Sequence, residues 1–241
     1  MATNMSLSDD NAMSWPAQHS LWSKCFEAFC KTIFKLYCPL TTFGRENLPP
    51  TPFLICSNHA SHLDGVLLIT AANLSFQEAG LIAAKDYFFD QSHRLYLHHM
   101  MNLVPIARRS GAGAIKDSLN ACRSFLGHGG KALIIFPEGT RAKNGDMARF
   151  KDGAALLAHD LDIPMVPAYI RGTSASLPKG SYFIRPQHLS VSFGPAVKVN
   201  FCGEVADEDG RKMRLEAIRQ ATLEVQERVR ALQASLPSLA T

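Results

Sequence analysis

The stretch Phe53–Asp64 reads Phe-Leu-Ile-Cys-Ser-Asn-His-Ala-Ser-His-Leu-Asp. Its apolar opening suits a buried strand. It turns polar at Ser57, Asn58 and His59. Apolar residues resume at helical spacing from Leu63 through Val66, Leu67, Leu68, Ile69 and Leu74. The spacing predicts strand, turn, helix, with His59 at a strand's carboxyl end and Asp64 in the first turn of the helix behind it. In open α/β sheets that edge carries ligands and chemistry.

Histidine is the usual general base near neutral pH. It works best when a carboxylate holds its other ring nitrogen. Asp64 lies five positions after His59 and can fold back to the ring across the turn. Ser57 and Ser61 are close in sequence, but neither sits in a Gly-x-Ser-x-Gly elbow. A His–Asp pair without an enzyme nucleophile points to a hydroxyl that the substrate supplies. Taken alone, the pair fits equally a loop-capping histidine and an aspartate at a helix start. A metal hydrolase is a weaker reading, because His59, His62 and Asp64 miss the His-x-His-x-Asp spacing by one residue and no distant partner set is evident.

A second stretch, Lys131–Arg141, reads Lys-Ala-Leu-Ile-Ile-Phe-Pro-Glu-Gly-Thr-Arg. Leu133, Ile134, Ile135 and Phe136 predict another buried strand, which Pro137 ends. Together, Asn58-His-x-Ser-x-x-Asp64 and Phe136-Pro-Glu-Gly-Thr-Arg141 resemble the glycerolipid acyltransferase family, best known for its 1-acylglycerol-3-phosphate O-acyltransferases. Two further blocks follow the same resemblance: Val104–Arg108 and Ile163-Pro-Met-Val-Pro167. So does Phe150-Lys-Asp-Gly-Ala-Ala-Leu-Leu-Ala. The likeness runs from about Phe43 to Val199, and four blocks in order are far more specific than any one. It implies an α/β fold like that of glycerol-3-phosphate acyltransferase, with a central, mostly parallel sheet flanked by helices. It implies His59 and Asp64 as the catalytic pair. Arg108 and Arg141 would hold the acceptor's phosphate, with Glu138, Gly139 and Thr140 shaping that pocket. Pro167 would serve packing or acyl-donor contact. Asn102, Pro105 and Ala107 depart from the family's arginine block.

Size and composition agree with one large α/β domain. The chain has 241 residues, 46% of them hydrophobic, ample for a core. A net charge of +4 favours an anionic membrane surface or phosphorylated substrates. No basic stripe interleaved with aromatics suggests nucleic acid. Six cysteines form no Cys-x-x-Cys pair and read as reduced thiols.

Along the chain, residues 1–19 are polar, without a signal-peptide pattern, and are expected to be disordered. Residues 20–39 predict an amphipathic helix. Leu21, Trp22, Cys25, Phe26, Phe29, Ile33, Phe34, Leu36 and Tyr37 form one side, with Lys24, Glu27, Lys31 and Lys35 opposite, and Pro39 ends it. The pattern is read as a membrane-interface helix; the alternative is a helix packed on its own domain, and the two are compatible if the helix is half docked and half in lipid. An acyltransferase domain is expected over 40–236 and a tail over 237–241.

Within the domain, strands are expected at Gly80–Lys85, Leu103–Ile106, Pro164–Ile170, Leu189–Phe193 and Ala196–Val199, with a short one near Phe43. Helices are expected at His93–Met101, Ala112–Leu126, Phe150–His159 and Arg211–Leu236. The last would pack through Met213, Ile218, Leu223, Val225 and Val229. Ser174–Pro186 reads as a loop with Tyr182 and Phe183 near lipid.

The resulting expectation is a peripheral or monotopic acyltransferase on the cytoplasmic membrane face. It would move a fatty acyl group from acyl-CoA or acyl carrier protein to a lysophospholipid, 1-acylglycerol 3-phosphate above others, with no metal or redox cofactor. Backbone N–H groups near Asn58–Ser61 or Gly139 are expected to meet the oxyanion. Alternatives are a different lysolipid or amino-lipid acceptor and a non-enzymatic lipid-binding scaffold.

Overall fold

The structure is a computed structural model. It describes residues 21–84, 101–106, 112–141, 147–178, 180–201, 203 and 207–236. In chain order the strands are β1 (Leu40–Phe43), β2 (Phe53–Ser57), β3 (Ala79–Ala84), β4 (Asn102–Ile106), β5 (Ala132–Ile135), β6 (Met165–Arg171) and β7 (Leu189–Phe193). The helices are α1 (Leu21–Thr32, extended by a π turn over Ile33–Tyr37), α2 (Asp64–Ala71), α3 (Ala112–Gly127), α4 (Gly153–Leu161), the single turn α5 (Thr173–Ser176) and α6 (Glu208–Ser235).

The sheet order is β1-β7-β6-β2-β5-β3-β4. Strands β6, β2, β5, β3 and β4 are parallel, while β7 runs antiparallel to β6 and parallel to β1. The expected α/β architecture, mostly parallel and flanked by helices, is therefore present. Every residue of β2 is buried, as a strand covered on both faces requires. Its side chains alternate between two cores. Phe53 and Ile55 join the layer of Phe34, Leu67 and Phe76. Leu54 and Cys56 join the layer of Phe125, Leu157, Ile218 and Val225. Helices α1 and α2 cover one face, and α3, α4 and α6 the other.

Strand adjacency positions the site. Cys56 of β2 pairs with Ile135 of β5 and with Pro167 of β6. The polar turns after β2 and β5 thus leave the same edge, side by side.

Some local expectations are corrected. Ala196–Val199 is no strand; Val197 makes one antiparallel bridge to Met165. β7 already occupies the flank of β6 from Ala168 to Arg171, so only the start of β6 is open to Val197. On α6, Ile218, Val225 and Val229 are buried, but Met213 and Leu223 are exposed, because they lie off the Ile218–Ala221–Val225–Val229 stripe. Helix α1 does pack through Phe26, Cys30, Ile33 and Phe34. Glu27 is not on the solvent side: its carboxylate accepts the Phe76 N–H at 3.1 Å, besides binding Lys31. Trp22, Phe29 and Leu36 remain exposed at seven-residue spacing. The expected helix His93–Met101 lies mainly outside the described residues, as do residues 1–19, the 237–241 tail and Lys85.

The glycines after α3 have separate tasks. Gly129 takes a positive φ of 97°, which suits a residue without Cβ. Gly130 instead provides room: a Cβ there would stand 2.3 Å from the ring of buried Phe125. Gly130→Ala is expected to cost about 1–3 kcal/mol by overpacking, read by urea denaturation. Gly113→Ala meets no atom within 4 Å and is expected to stabilise by roughly 0.5 kcal/mol. A neutral Gly130→Ala would contradict the packing argument.

Candidate active site

The turn after β2 is built around one carboxylate oxygen. Asp64 Oδ2 accepts the N–H of Ala60 at 2.6 Å and of Ser61 at 2.8 Å, and lies 2.9 Å from His59 Nδ1. Asp64 is fully buried at the start of α2, where the helix dipole favours negative charge. Its Oδ1 is buried with no hydrogen-bond partner among the described residues. The pair read from spacing is thus a real contact, and Asp64 also shapes the turn. With Nδ1–H donating to Asp64, the neutral ring presents Nε2 as an acceptor.

Two neighbours fix the ring and its backbone. Phe136 stacks on His59, centroids 4.1 Å apart and planes 15° apart. Glu138 Oε1 accepts the His59 N–H at 2.8 Å, and its Oε2 accepts the Ala148 N–H at 2.9 Å. Glu138 is buried. Burial raises its carboxyl above the ordinary value, while the two N–H bonds and His59 act in the opposite direction. Glu138 therefore clamps the turn after β5 to the turn after β2. Among the described residues no ion pair joins it to Arg141.

The serine hydroxyls are turned elsewhere. Ser57 Oγ donates to Asn58 Oδ1, and Ser61 Oγ donates to the Leu177 carbonyl at 2.9 Å. Neither is hydrogen-bonded to His59. The expected oxyanion donors are also engaged. The N–H groups of His59, Ala60 and Ser61 bind carboxylates, and that of Gly139 donates to the Phe136 carbonyl at 3.0 Å. These four donors hold the turns together.

Gly139 has φ 73°, and a Cβ there would lie 2.7 Å from Lys151 Nζ. Gly139 and Thr140 are exposed and Arg141 is half-buried. Pro167 is buried in β6, its carbonyl accepting the Gly194 N–H, a packing position. Arg108 lies outside the described residues. Among the described residues, no group of three or more histidine, cysteine, aspartate or glutamate side chains is gathered as a metal ion requires.

Sequence reasoning missed three contributors. Asn58 mimics a strand residue, its side chain exchanging two hydrogen bonds with the backbone of Ile170 at 2.8 and 3.0 Å. Phe136 was read only as strand. Lys151, tied through its N–H to the Pro137 carbonyl at 3.0 Å, brings an ammonium group over Gly139. Only the Phe-Lys-Asp-Gly segment's place after the Glu-Gly-Thr-Arg turn hinted at it.

Two outcomes follow. Nitrogen-15 NMR should find the neutral His59 ring protonated at Nδ1, and Asp64→Ala should release that preference; an Nε2–H tautomer in the wild type would contradict the geometry. A carboxyl whose folded pKa is raised binds its proton more readily folded than unfolded. Ionisation of Glu138 therefore removes stability as pH rises from the ordinary carboxylate value through the raised one. Glu138→Gln should flatten stability against pH in that window, and the Glu138 carboxyl carbon should titrate above exposed glutamates.

Comparison with known proteins matches this arrangement. The sequence signature described as Acyltransferase covers residues 40–171, more than half of the chain and all of the site's described motifs. A chloroplastic 1-acyl-sn-glycerol-3-phosphate acyltransferase of Brassica napus is 34% identical over 140 residues, 57% of this chain and 39% of the relative. One from Chlamydomonas reinhardtii is 31% identical over 193 residues, 76% of this chain and 53% of the relative. The chain thus spans about half the length, or less, of such relatives. The crystal structure of the 1-acyl-sn-glycerophosphate acyltransferase PlsC from Thermotoga maritima superposes with a TM-score of 0.58 at 23% identity, covering 90% of this chain and 81% of that one. That likeness concerns the fold. With the signature spanning both turns that meet at His59, the chain belongs to the acyltransferase family.

Proposed function

We propose that this chain is an O-acyltransferase that moves a fatty acyl group from a thioester, acyl-CoA or acyl carrier protein, to the hydroxyl of a lysophospholipid, 1-acylglycerol 3-phosphate being the favoured acceptor. The observation that carries the reading is a histidine fixed by a buried carboxylate, while both nearby serine hydroxyls are bonded elsewhere. The base then acts on a hydroxyl the substrate brings. Relatives named for acyl transfer to 1-acyl-sn-glycerol 3-phosphate support this choice of acceptor.

In the reaction, His59 Nε2 takes the acceptor's hydroxyl proton as that oxygen attacks the thioester carbonyl. The tetrahedral oxyanion collapses and expels the thiolate. The thiolate takes the proton back from the imidazolium, leaving an ester and a free thiol. Asp64 holds the tautomer and faces the positive charge as it forms. The phosphate is assigned to Arg108 and Arg141, whose guanidinium forks suit a dianion. No metal or redox cofactor enters this scheme.

The domain reading is an interface helix at 20–39 and an acyltransferase domain over 40–236. The exposed Trp22, Phe29 and Leu36 on α1 would meet lipid at a cytoplasmic membrane face. Among the described residues no helix is long and apolar enough to cross a membrane, so the attachment proposed is peripheral or monotopic.

His59→Ala should lower kcat by about 10²–10⁴-fold, the usual contribution of a positioned base, with folding intact. Asp64→Asn should lower it less. Wild-type turnover in His59→Ala would refute the mechanism. Acceptor choice is read separately. Arg141→Lys and Arg108→Ala should impair a phosphate-bearing lysolipid more than an uncharged monoacylglycerol. Equal impairment of both acceptors would make these arginines structural.

A further inference from the structure

Among the described residues, the two most exposed large apolar side chains are neighbours: Tyr182, 95% exposed, and Phe183, 83% exposed. They occupy the tip of the loop between α5 and β7. Tyrosine and phenylalanine in full water at one tip call for an occupant.

The tip is held rather than slack. Ser181 N–H donates to the Pro178 carbonyl at 3.0 Å, and its hydroxyl donates to the Phe183 carbonyl at 3.2 Å. The base is closed by two bonds between Ser176 and Arg185, at 2.7 and 2.9 Å. Two further ties leave it. Tyr37 Oη, just after α1, donates to the Ile184 carbonyl at 3.2 Å. Ser61, in the turn that carries His59, donates to the Leu177 carbonyl at 2.9 Å. The aromatic tip is thus fixed to the exposed end of the α1 segment and to the catalytic turn.

We propose that Tyr182 and Phe183 form a second membrane contact, an aromatic wedge entering the headgroup–acyl boundary of an anionic bilayer. Charge selects that occupant: Arg185 beside the tip and Lys35 beside Tyr37 are exposed, and the chain is net positive. Basic residues around exposed aromatics suit an anionic lipid surface. Two side chains at a protruding tip are far too little surface for a stable protein interface. A preformed loop also has little entropy left to lose on insertion. With the tip in lipid, the Ser61 tie sets the height of His59 above the bilayer. That last role rests on the acyltransferase reading; the membrane contact does not.

The test uses vesicles of phosphatidylcholine and phosphatidylglycerol. Tyr182→Ser with Phe183→Ser should weaken cosedimentation by about tenfold, as removal of buried apolar area at an interface does. Tyr182→Trp with Phe183→Leu should retain binding, and both pairs should keep the wild-type unfolding midpoint. In a Cys25→Ser, Cys202→Ser background, a polarity-sensitive fluorophore on Phe183→Cys should shift to the blue with vesicles. The same label on Met213→Cys, exposed on α6, should not. Unchanged cosedimentation of the Ser pair, or a label at 183 that stays in water while the protein binds vesicles, would overturn the proposal. Concentration-dependent self-association lost in the Ser pair, with vesicle binding intact, would assign the tip to a second copy instead. Vesicle binding is read without substrate, so absent acyl transfer would count against the enzyme reading alone.

Discussion

The site depends on the backbone of one short turn being pulled in two directions by buried carboxylates. Asp64 draws in the N–H groups of Ala60 and Ser61 and the ring of His59. Glu138, from the neighbouring turn, draws in the N–H of His59 itself. Burying two carboxylates is costly unless their oxygens find donors. Glu138 finds a donor for each oxygen, while Asp64 concentrates three groups on one oxygen and, among the described residues, leaves the other without a partner. The oxygen that holds the two N–H groups, Oδ2, is also the one that faces the imidazole, where a positive charge forms when the ring takes a proton.

That clamp exists because of the sheet order. β5 enters between β2 and β3 late in the chain, placing Ile135 beside Cys56. The turns beyond them then stand next to one another though far apart in sequence. β6 completes the floor from the other side, where Asn58 bonds to Ile170 and Ser61 to Leu177. One turn of chain is thus tied to β5, β6 and the α5 loop at once, which fixes where the histidine stands.

Much of this was legible in the sequence, because apolar runs broken by polar turns mark strand ends. The runs Phe53–Cys56 and Leu133–Phe136 located β2 and β5 to within a residue that way, and the five-residue step from His59 to Asp64 gave the pair. What escaped is non-local. Glu138 reads as a residue that shapes a substrate pocket, yet its oxygens go to backbone N–H groups that no side-chain pattern reveals. The partners of the His59, Ala60 and Ser61 N–H groups escaped for the same reason. Asn58 was invisible because its role is to imitate backbone. Helix α1 read as one apolar side against one charged side, but Glu27 reaches the Phe76 N–H, and the apolar residues divide between the core and the surface. Met213 and Leu223 fit a generous helical stripe but fall outside the narrow one that touches β6.

The central claim is that Asp64 acts through His59 and not as an independent group. A double-mutant cycle on acyl transfer reads this directly. If Asp64 works only by orienting and balancing the ring, then in a chain already carrying His59→Ala the further change Asp64→Asn should leave kcat unchanged. Losses that multiply in the double variant would contradict it and give Asp64 a separate part in the reaction.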